Sequence, residues 1–217
     1  MTLAYGGTRQ GMGEQVVEDT RGLSDYLRDK EPKWGYMLGS LVYDICYKEL
    51  GGPAKMLQLF QQLAQRENDR GRHLAYRTPI TGFPFRHNYR RPLISDVSFY
   101  YGEDRIRLSL SVWQEATLDK QKQKTGTSPN VVHNLDATHV NMVVDGSDYS
   151  ITVVHDSFGC HAGNMGHLFG FVRETFVELY ESEPLEYIFA QVDALDLLPN
   201  KGTLDVREIL KSDFAFA

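Results

Sequence analysis

The sequence predicts an α+β fold that is mostly helical and carries a protruding β-hairpin and a small antiparallel sheet. Apolar residues keep a helical spacing through much of the first third of the chain and again over residues 161–181. Two β-rich runs, Val97–Tyr101 and Ile106–Val112, flank a turn at residues 102–104. A third β-rich run, at residues 150–154, is typical of a buried strand and ends at a His-Asp pair.

The first part of the chain is predicted to form three helices. They are expected over Gln10–Lys30, over Lys33–Leu50 and from Pro53 onward, with Gly51 and Gly52 ending the second helix. The second and third helices each have an apolar stripe, and we expect both stripes to belong to the core. The stripes consist of Trp34, Met37, Leu38, Leu41, Val42 and Ile45, and of Met56, Leu57, Phe60 and Leu63.

Residues 73–114 change character and are predicted to be strands, with Gly102, Glu103 and Asp104 forming the hairpin turn. Helices are expected to resume over Leu118–Thr125, Pro129–Val144, His161–Glu181 and Glu186–Leu195. The third of these is amphipathic, with Leu168, Phe171, Val172, Phe176 and Leu179 predicted to face inward. No internal repeat or low-complexity linker occurs, so the sequence indicates one structural unit.

The composition is that of an ordinary globular protein. The 217 residues are 41% hydrophobic and 24% charged, which is enough apolar material for a sizeable core. No apolar run approaches the length of about 18 residues that a membrane span needs, so no membrane partner is expected. Two cysteines, Cys46 and Cys160, fit a reducing compartment, and their spacing argues against a zinc site.

Charge is distributed unevenly along the chain. The net charge of −6 argues against a protein that coats nucleic acid by bulk attraction. Between Arg66 and Pro92, however, seven arginines face two acidic residues, whereas the stretch from Asp156 to the end has a balance of −7. A basic stripe on an acidic body fits contact with nucleic acid over part of the surface, and a solvated arginine-rich loop is the alternative.

The strongest candidate for chemistry is Asp156, which directly follows the β-rich run. A carboxylate at the end of a strand is held rigidly at the rim of a sheet, where it could bind a metal ion. The alternative is an aspartate that only opens a turn. A serine-hydrolase site of His155, Asp156 and Ser157 fails on geometry, because neighbouring strand residues point to opposite faces.

Four stretches resemble one family in the same order along the chain. The His-Asp-Ser-Phe-Gly turn at 155–159 resembles motif C of the single-subunit, bacteriophage-type RNA polymerases. Residues 1–6 are similar to the end of motif B in that family, and residues 128–139 to the helix before motif C. Residues 212–217, Ser-Asp-Phe-Ala-Phe-Ala, resemble the C-terminal foot of the phage enzymes. The resemblance runs from the first residue to the last.

The resemblance implies a fingers and palm fragment in three regions. Residues 1–72 would be fingers-type helices, residues 73–127 strands with a specificity-type hairpin, and residues 128–217 the palm with motif C and the foot. Met1 would then be an internal methionine of a longer polymerase or the start of a split second product. The motif A aspartate and the motif B arginine and lysine of the family would lie upstream.

The resemblance also implies roles at the reaction centre. Asp156 would be the catalytic residue and a ligand of Mg²⁺, and His155 would support the Asp156 side chain without binding the metal itself. Tyr5, followed by Gly6, would contact the incoming nucleotide near the ribose 2′-hydroxyl. His133 would test base pairing in the minor groove, where the acceptors are similar for all pairs. A buried histidine bonded to a nearby aspartate is the alternative for His133.

In the resembling family the hairpin reaches into the promoter major groove, into which a two-stranded ribbon fits. Arg105 and Arg107 are the candidate DNA contacts here. The positions of base-reading residues in the family hold Asp96, Ser98 and Ile106, so the promoter recognised would differ. Phe214 and the terminal carboxylate of Ala217 would belong to a foot that folds toward the active centre, where its role is positional.

The implied activity is template-directed ribonucleotide transfer with Mg²⁺ by a two-metal mechanism. The implied partners are a DNA template and promoter, the RNA product, ribonucleoside triphosphates and the missing N-terminal polymerase portion, in the cytoplasm of a phage-infected bacterium. Without that portion we expect the chain to be inactive and to bind metal weakly. The alternatives are a fragment of a related DNA polymerase, and a non-catalytic DNA-binding remnant.

Overall fold

The structure is a computed structural model that describes residues 7–20, 33–154 and 157–215. Its α-helices are α1 (Arg9–Asp19), α2 (Lys33–Glu49), α3 (Gly51–Asp69), α4 (Lys120–Asp145), α5 (Met165–Glu181) and α6 (Pro184–Gln191). Its strands are β1 (Ala75–Arg77), β2 (Pro84–Arg86), β3 (Arg90–Tyr101), β4 (Asp104–Leu118), β5 (Ile151–Val154) and β6 (Ser157–Cys160). Short 3₁₀ helices cover Ala162–Asn164, Leu195–Leu197 and Val206–Lys211. The predicted class, α+β and mostly helical, is confirmed.

The strands form three separate antiparallel pairs, β1 with β2, β3 with β4 and β5 with β6. Two-stranded ribbons bury little by themselves, so each depends on the helices around it for stability. None of the described helices combines the length and the apolar character that a membrane-spanning helix requires.

Helix α1 begins at a Thr8 cap, whose side chain accepts a hydrogen bond from the Gly11 amide. It confirms the predicted first helix as far as Asp19. The helix ends at the cap residue Thr20, and residues 21–30 of that prediction lie outside the described residues. Close contact with α2 is made through glycine: a Cβ added to Gly39 would lie 2.5 Å from the Cα of Gly13. The two helix backbones therefore approach each other directly.

Helix α2 begins at the predicted residue and ends one residue early, at Glu49. The prediction that its apolar stripe is core is wrong. The stripe side chains Trp34, Leu41 and Ile45 are each more than half exposed. Helix α1 covers a different side of α2, the one that contains Gly39. The periodicity identified an apolar face correctly, but a face is buried only if another element lies against it.

Helix α3 begins earlier than predicted. Gly51 and Gly52 do not end α2 from outside but form the first turn of α3. The predicted stripe of this helix is core: Leu57, Phe60 and Leu63 are buried, with Leu63 fully so. They belong to the main hydrophobic cluster, which combines α3 with residues of β1, α4 and α6, among them Leu74, Tyr76, Val131, Leu135, Ile188 and Phe189.

The β3–β4 hairpin extends the predicted strand pair well beyond Val97–Tyr101 and Ile106–Val112. Tyr101 pairs with Asp104, which leaves Gly102 and Glu103 as a two-residue turn. Gly102 has a φ of +64° and Glu103 does not have a positive φ, as in a type II′ turn. An irregularity in register between Arg91 and Leu93 marks the root of the hairpin.

Two predicted helices are in fact one. Helix α4 runs unbroken through Pro129 over 26 residues, starting at the cap Asp119, whose side chain accepts from the Lys122 amide. Proline removes one hydrogen bond from a helix interior, but tertiary packing outweighs this loss. Val131 and Leu135, just past Pro129, lie in the main cluster.

A second, smaller cluster joins α4, α5 and the β5–β6 hairpin. Val143, Leu168 and Val172 are its buried members, and Ile151 and Phe158 pack against it. Strand β5 was predicted to be buried, but it alternates between half-buried and exposed residues, and Val154 is 67% exposed. A two-stranded ribbon has only one covered face, so only alternate side chains are shielded.

Candidate functional site

The β5–β6 hairpin carries the motif that resembles polymerase motif C. Thr152 pairs with Gly159, Val153 with Phe158 and Val154 with Ser157. His155 and Asp156 come between the last pair in the sequence, and both lie outside the described residues. The structure thus describes the strands on either side of the proposed catalytic aspartate.

His139 of α4 connects these strands to the helices behind them. Its Nε2 lies 2.9 Å from the Val172 carbonyl oxygen, to which it donates, and its ring meets Phe158 of β6 edge-on at 5.9 Å. Burial lowers the pKa of His139, an effect opposed by the bond to Val172 and by Asp136. No role for His139 was predicted, because no local pattern in the sequence distinguishes it from a solvent-facing histidine.

His133, predicted to probe the growing hybrid, lies near the middle of α4 and is exposed. The alternative of a buried histidine is therefore wrong. Tyr5 and Gly6, predicted to contact the nucleotide, lie outside the described residues, as does Ala217. The structure consequently does not measure how close His133 lies to those groups.

The first half of α4 is held by an aromatic ladder from β1, β2 and the segment after it. Neighbouring ring centroids are 5.0–5.4 Å apart. The ladder consists of Tyr76, Phe85, His87 and Tyr89. From α4, Asn134 donates to the Tyr76 hydroxyl at 2.9 Å and Asn130 to the Tyr89 hydroxyl at 2.8 Å. These contacts turn one face of α4 inward, while His133 remains exposed.

The β3–β4 hairpin has two chemically different faces, as alternation along paired strands requires. On one face Arg107 donates to Asp96 Oδ2 at 3.0 Å, and Ser109 donates to Oδ1 of the same carboxylate at 2.6 Å. Arg105 approaches Ser98 Oγ at 3.4 Å on that face. Both predicted arginines therefore lie on one polar, exposed surface.

The opposite face of the hairpin is mainly apolar. Its large hydrophobic side chains that are at least 43% exposed are Leu93, Val97, Phe99, Tyr101, Leu108 and Leu110. The bonds from Arg107 and Ser109 to Asp96 thus lie on one side of the ribbon, and most of the apolar side chains of its middle part lie on the other. The polar side, with Asp96, Arg105 and Arg107, offers the charged donors and acceptors that base edges require.

The C-terminal segment runs along α5. Arg173 of α5 donates to the Ser212 carbonyl at 3.3 Å and lies over the Phe169 ring at 3.4 Å. Phe214, predicted to be part of a foot, is 90% exposed. The contact at Ser212 therefore leaves the aromatic side chain two residues further on free of the core.

Metal-binding side chains do not cluster in the described part of the chain, which contains no group of three histidine, cysteine or acidic residues that could hold an ion. Carboxylate oxygens are the ligands that Mg²⁺ prefers. The sequence predicts that Asp156 supplies such a carboxylate ligand. A complete site would need oxygens beyond those that the described residues bring together.

Comparison with known proteins decides the family. The profile of the DNA-dependent RNA polymerase family matches residues 1–195. The chain belongs to this family. Among its relatives, the DNA-directed RNA polymerase of Enterobacteria phage T3 is 30% identical and the T7 RNA polymerase of Escherichia phage T7 is 29% identical, each over 250 aligned positions that include the whole chain.

The polymerase chain spans about 28% of the length of its T3 and T7 relatives. A plant relative differs in extent: the DNA-directed RNA polymerase 1A of Nicotiana tabacum is 34% identical over 152 residues, which cover 64% of the chain and 92% of the tobacco sequence. The predicted resemblance to phage-type polymerases is confirmed. The individual site residues stay predictions.

Proposed function

We propose that this chain is the C-terminal portion of a phage-type DNA-directed RNA polymerase, and that the complete enzyme adds ribonucleotides to RNA on a DNA template. The observation that carries the proposal is the family match over residues 1–195, which includes the His-Asp pair that follows β5 in the sequence. Its substrates would be ribonucleoside triphosphates. A promoter-bearing DNA, the RNA product and the remaining polymerase portion would be its partners.

Asp156 is proposed as the catalytic carboxylate, with His155 supporting it. Mg²⁺ bound there would offset charge on the transferred phosphate oxygens. Because the described residues provide no group of three ligands, the second carboxylate would come from the remaining polymerase portion. The chain by itself is therefore expected to bind Mg²⁺ weakly and not to polymerise.

The β5–β6 strands suit this role because both are anchored. Phe158 packs against the second cluster and meets His139, so the strand that follows Asp156 is held to α4 and α5. Strand residues supported by packing position a side chain more accurately than a loose loop does. This support is what the chain's own residues contribute to the proposed reaction centre.

The incoming nucleotide would be contacted by Tyr5 and Gly6, and the growing hybrid by His133. Tyr5, followed by Gly6, is proposed to stack near the sugar of the incoming nucleotide. His133 is proposed to donate to minor-groove acceptors, and its exposure on α4 supports this role. Phe214 and Ala217 are proposed to position the foot. The exposed ring of Phe214 does not belong to the core of this chain, which is compatible with that role.

The polar face of the β3–β4 hairpin is proposed to enter the DNA major groove. Arg105 and Arg107 supply donors suited to guanine, and Asp96 supplies an acceptor suited to the amino group of cytosine. The bonds from Arg107 and Ser109 to Asp96 orient both kinds of group before DNA arrives.

The test is reconstitution of RNA synthesis. The chain, alone and mixed with the polypeptide that corresponds to the remaining part of a phage polymerase, is assayed for ribonucleotide incorporation on promoter DNA. We expect activity only in the mixture, and loss of at least 10³-fold in an Asp156→Asn variant, because a catalytic carboxylate is irreplaceable by an amide. Asp148→Asn, an exposed aspartate before β5, is the matched control and should retain activity.

Two results would contradict the proposal. Robust synthesis by the chain alone would show that it does not depend on a second portion. DNA binding without synthesis in the mixture, with Asp156→Asn behaving like the unmodified chain, would identify a non-catalytic DNA-binding remnant.

A further inference from the structure

The root of the β3–β4 hairpin carries an open cleft of about 410 Å³. It forms where the end of β4 runs into α4, with α3 along the other side. Its polar lining consists of Gln65, Arg91, Thr117, Asp119, Lys120, Gln121 and Lys124. Side chains from α3, β3, α4 and the end of β4 therefore line one basic cleft.

Among the residues that the structure describes, one carboxylate lines this cleft, and it is already engaged. Asp119 is buried, and one of its oxygens accepts from the Lys122 amide at 3.0 Å. Its other oxygen lies 3.8 Å from Nε of Arg91. Asp119 is therefore satisfied within the fold and does not neutralise the lysines.

Lys120 and Lys124 have no carboxylate partner within the described part of the chain. They lie one turn apart on the same side of α4, and like charges at that spacing repel each other and disfavour a helix. Arg90, which pairs across the strands with Leu118 of the cleft, likewise has no such partner among the described residues. The positive charge here is not used to hold the fold together.

The arginines nearby in sequence behave differently. Arg66 forms an ion pair with Asp196. Arg70 and Arg72 each form an ion pair with the buried Glu67, at a distance of 3.0 Å. Arg77 donates to the Gly82 carbonyl. Arginines of the basic stripe seen in the sequence therefore bind groups within the protein itself. The hairpin root keeps uncompensated charge.

We infer that this basic cleft at the hairpin root binds the phosphate backbone of duplex DNA, beside the groove that the hairpin enters. The inference rests on the proposed function. Lysines are compact, mobile cations that suit phosphate contacts without reading sequence. On a chain of net charge −6, such contacts must come from a local concentration of positive charge.

Duplex DNA fits this place better than duplex RNA. The major groove of B-form DNA admits a two-stranded ribbon, whereas that of an RNA helix is too narrow for side chains to read. Strand β3 alone has 12 residues, so the ribbon is roughly 40 Å long. A duplex lying against its polar face would bring backbone phosphates toward the root.

The experiment measures binding of a fluorescent DNA duplex of about 20 base pairs to the 217-residue chain, by anisotropy at several salt concentrations. The cleft variant is Lys120→Ala/Lys124→Ala, with Lys120→Gln/Lys124→Gln as a second version. The control, Lys55→Ala/Lys122→Ala, removes the same charge from exposed lysines that do not line the cleft. Circular dichroism checks that each variant is folded.

The cleft variants should bind about tenfold more weakly, and the slope of log affinity against log salt should fall by about 2, because two phosphate contacts are lost. The control should change affinity less than twofold. Equal losses in cleft and control variants, or no loss in the cleft variants, would overturn the inference. So would preferential binding of an RNA duplex that the cleft variants abolish. If the unmodified chain binds no DNA duplex, the proposed DNA-binding role fails first.

Discussion

The side-chain nitrogen of Asn130 lies 3.2 Å from Nε2 of the buried His87. An amide nitrogen only donates, so Nε2 must accept and the ring must carry its proton on Nδ1. Nδ1 faces the Thr127 hydroxyl at 3.4 Å, which itself donates to the Gln123 carbonyl and so can accept from the ring. The neutral tautomer fits both neighbours, whereas a second ring proton would face the Asn130 donor.

Acidification should therefore weaken the fold through His87. Burial, with a smaller effect from His73, lowers the pKa of His87 to about 4 from an ordinary value near 6.5. The unfolded chain then binds the proton more readily, so stability is complete above pH 6.5 and falls as the pH drops toward 4. The loss amounts to at most about 3 kcal/mol. Urea unfolding at pH 7.5, 6 and 5 would measure it.

The same experiment on His87→Phe separates this histidine from others. Phenylalanine keeps a ring in the ladder but cannot take a proton, so its stability should change less between pH 7.5 and 5. An unmodified chain whose unfolding free energy is the same at both pH values would contradict the assignment. His139 has a pKa shifted in the same direction and should account for part of what remains.

Replacing His139 by leucine should destabilise the chain by about 1–3 kcal/mol. The substitution leaves the Val172 carbonyl without the donor at 2.9 Å and removes the ring that meets Phe158. Glutamine at the same position keeps a donor, so it should recover part of the loss. Chemical unfolding measures the effect, and equal destabilisation by both variants would show that the hydrogen bond contributes little.

Removing Asp96 should alter DNA recognition rather than abolish binding. In Asp96→Ala, Arg107 and Ser109 lose the acceptor that holds them, so the preferred base near them should change. Arg107→Ala should reduce discrimination at one position by about 1–3 kcal/mol. Selection from a randomised duplex pool gives the preference of each variant. Arg77→Ala, which alters an arginine outside the hairpin, is the control that should preserve it.

Adding one methyl group at Gly39 should separate α1 from α2. The new Cβ would lie 2.5 Å from Gly13 Cα and 2.6 Å from its nitrogen, and neither backbone atom can move aside alone. We expect Gly39→Ala to destabilise the chain by about 1–3 kcal/mol.

Gly170→Ala is the matched control for this prediction. Gly170 also lies inside a helix, but a Cβ there would meet nothing within 4 Å. That substitution should stabilise by about 0.5–1 kcal/mol through helix propensity alone. If both alanines stabilised the chain, the close approach of α1 and α2 would be refuted. Thermal unfolding compares the two variants directly.

The sequence by itself determined the class of fold, the position of the hairpin and the inward face of α3. These depend on local periodicity and on turn residues such as Gly102, which act over a few positions. It also determined the family, because motif stretches along the chain are recognisable without coordinates. The position of Asp96 and Arg107 on the same face of the hairpin follows from strand alternation once the register is known.

Only the tertiary structure decided which apolar and charged groups are used internally. The stripe of α2 is exposed because α1 lies against another side, and helix α4 runs through Pro129 because its neighbours hold it on both sides. Likewise, Glu67 engages Arg70 and Arg72, while Lys120 and Lys124 remain unpaired in the described part of the chain. Such outcomes depend on contacts between residues distant in sequence, which no local pattern encodes.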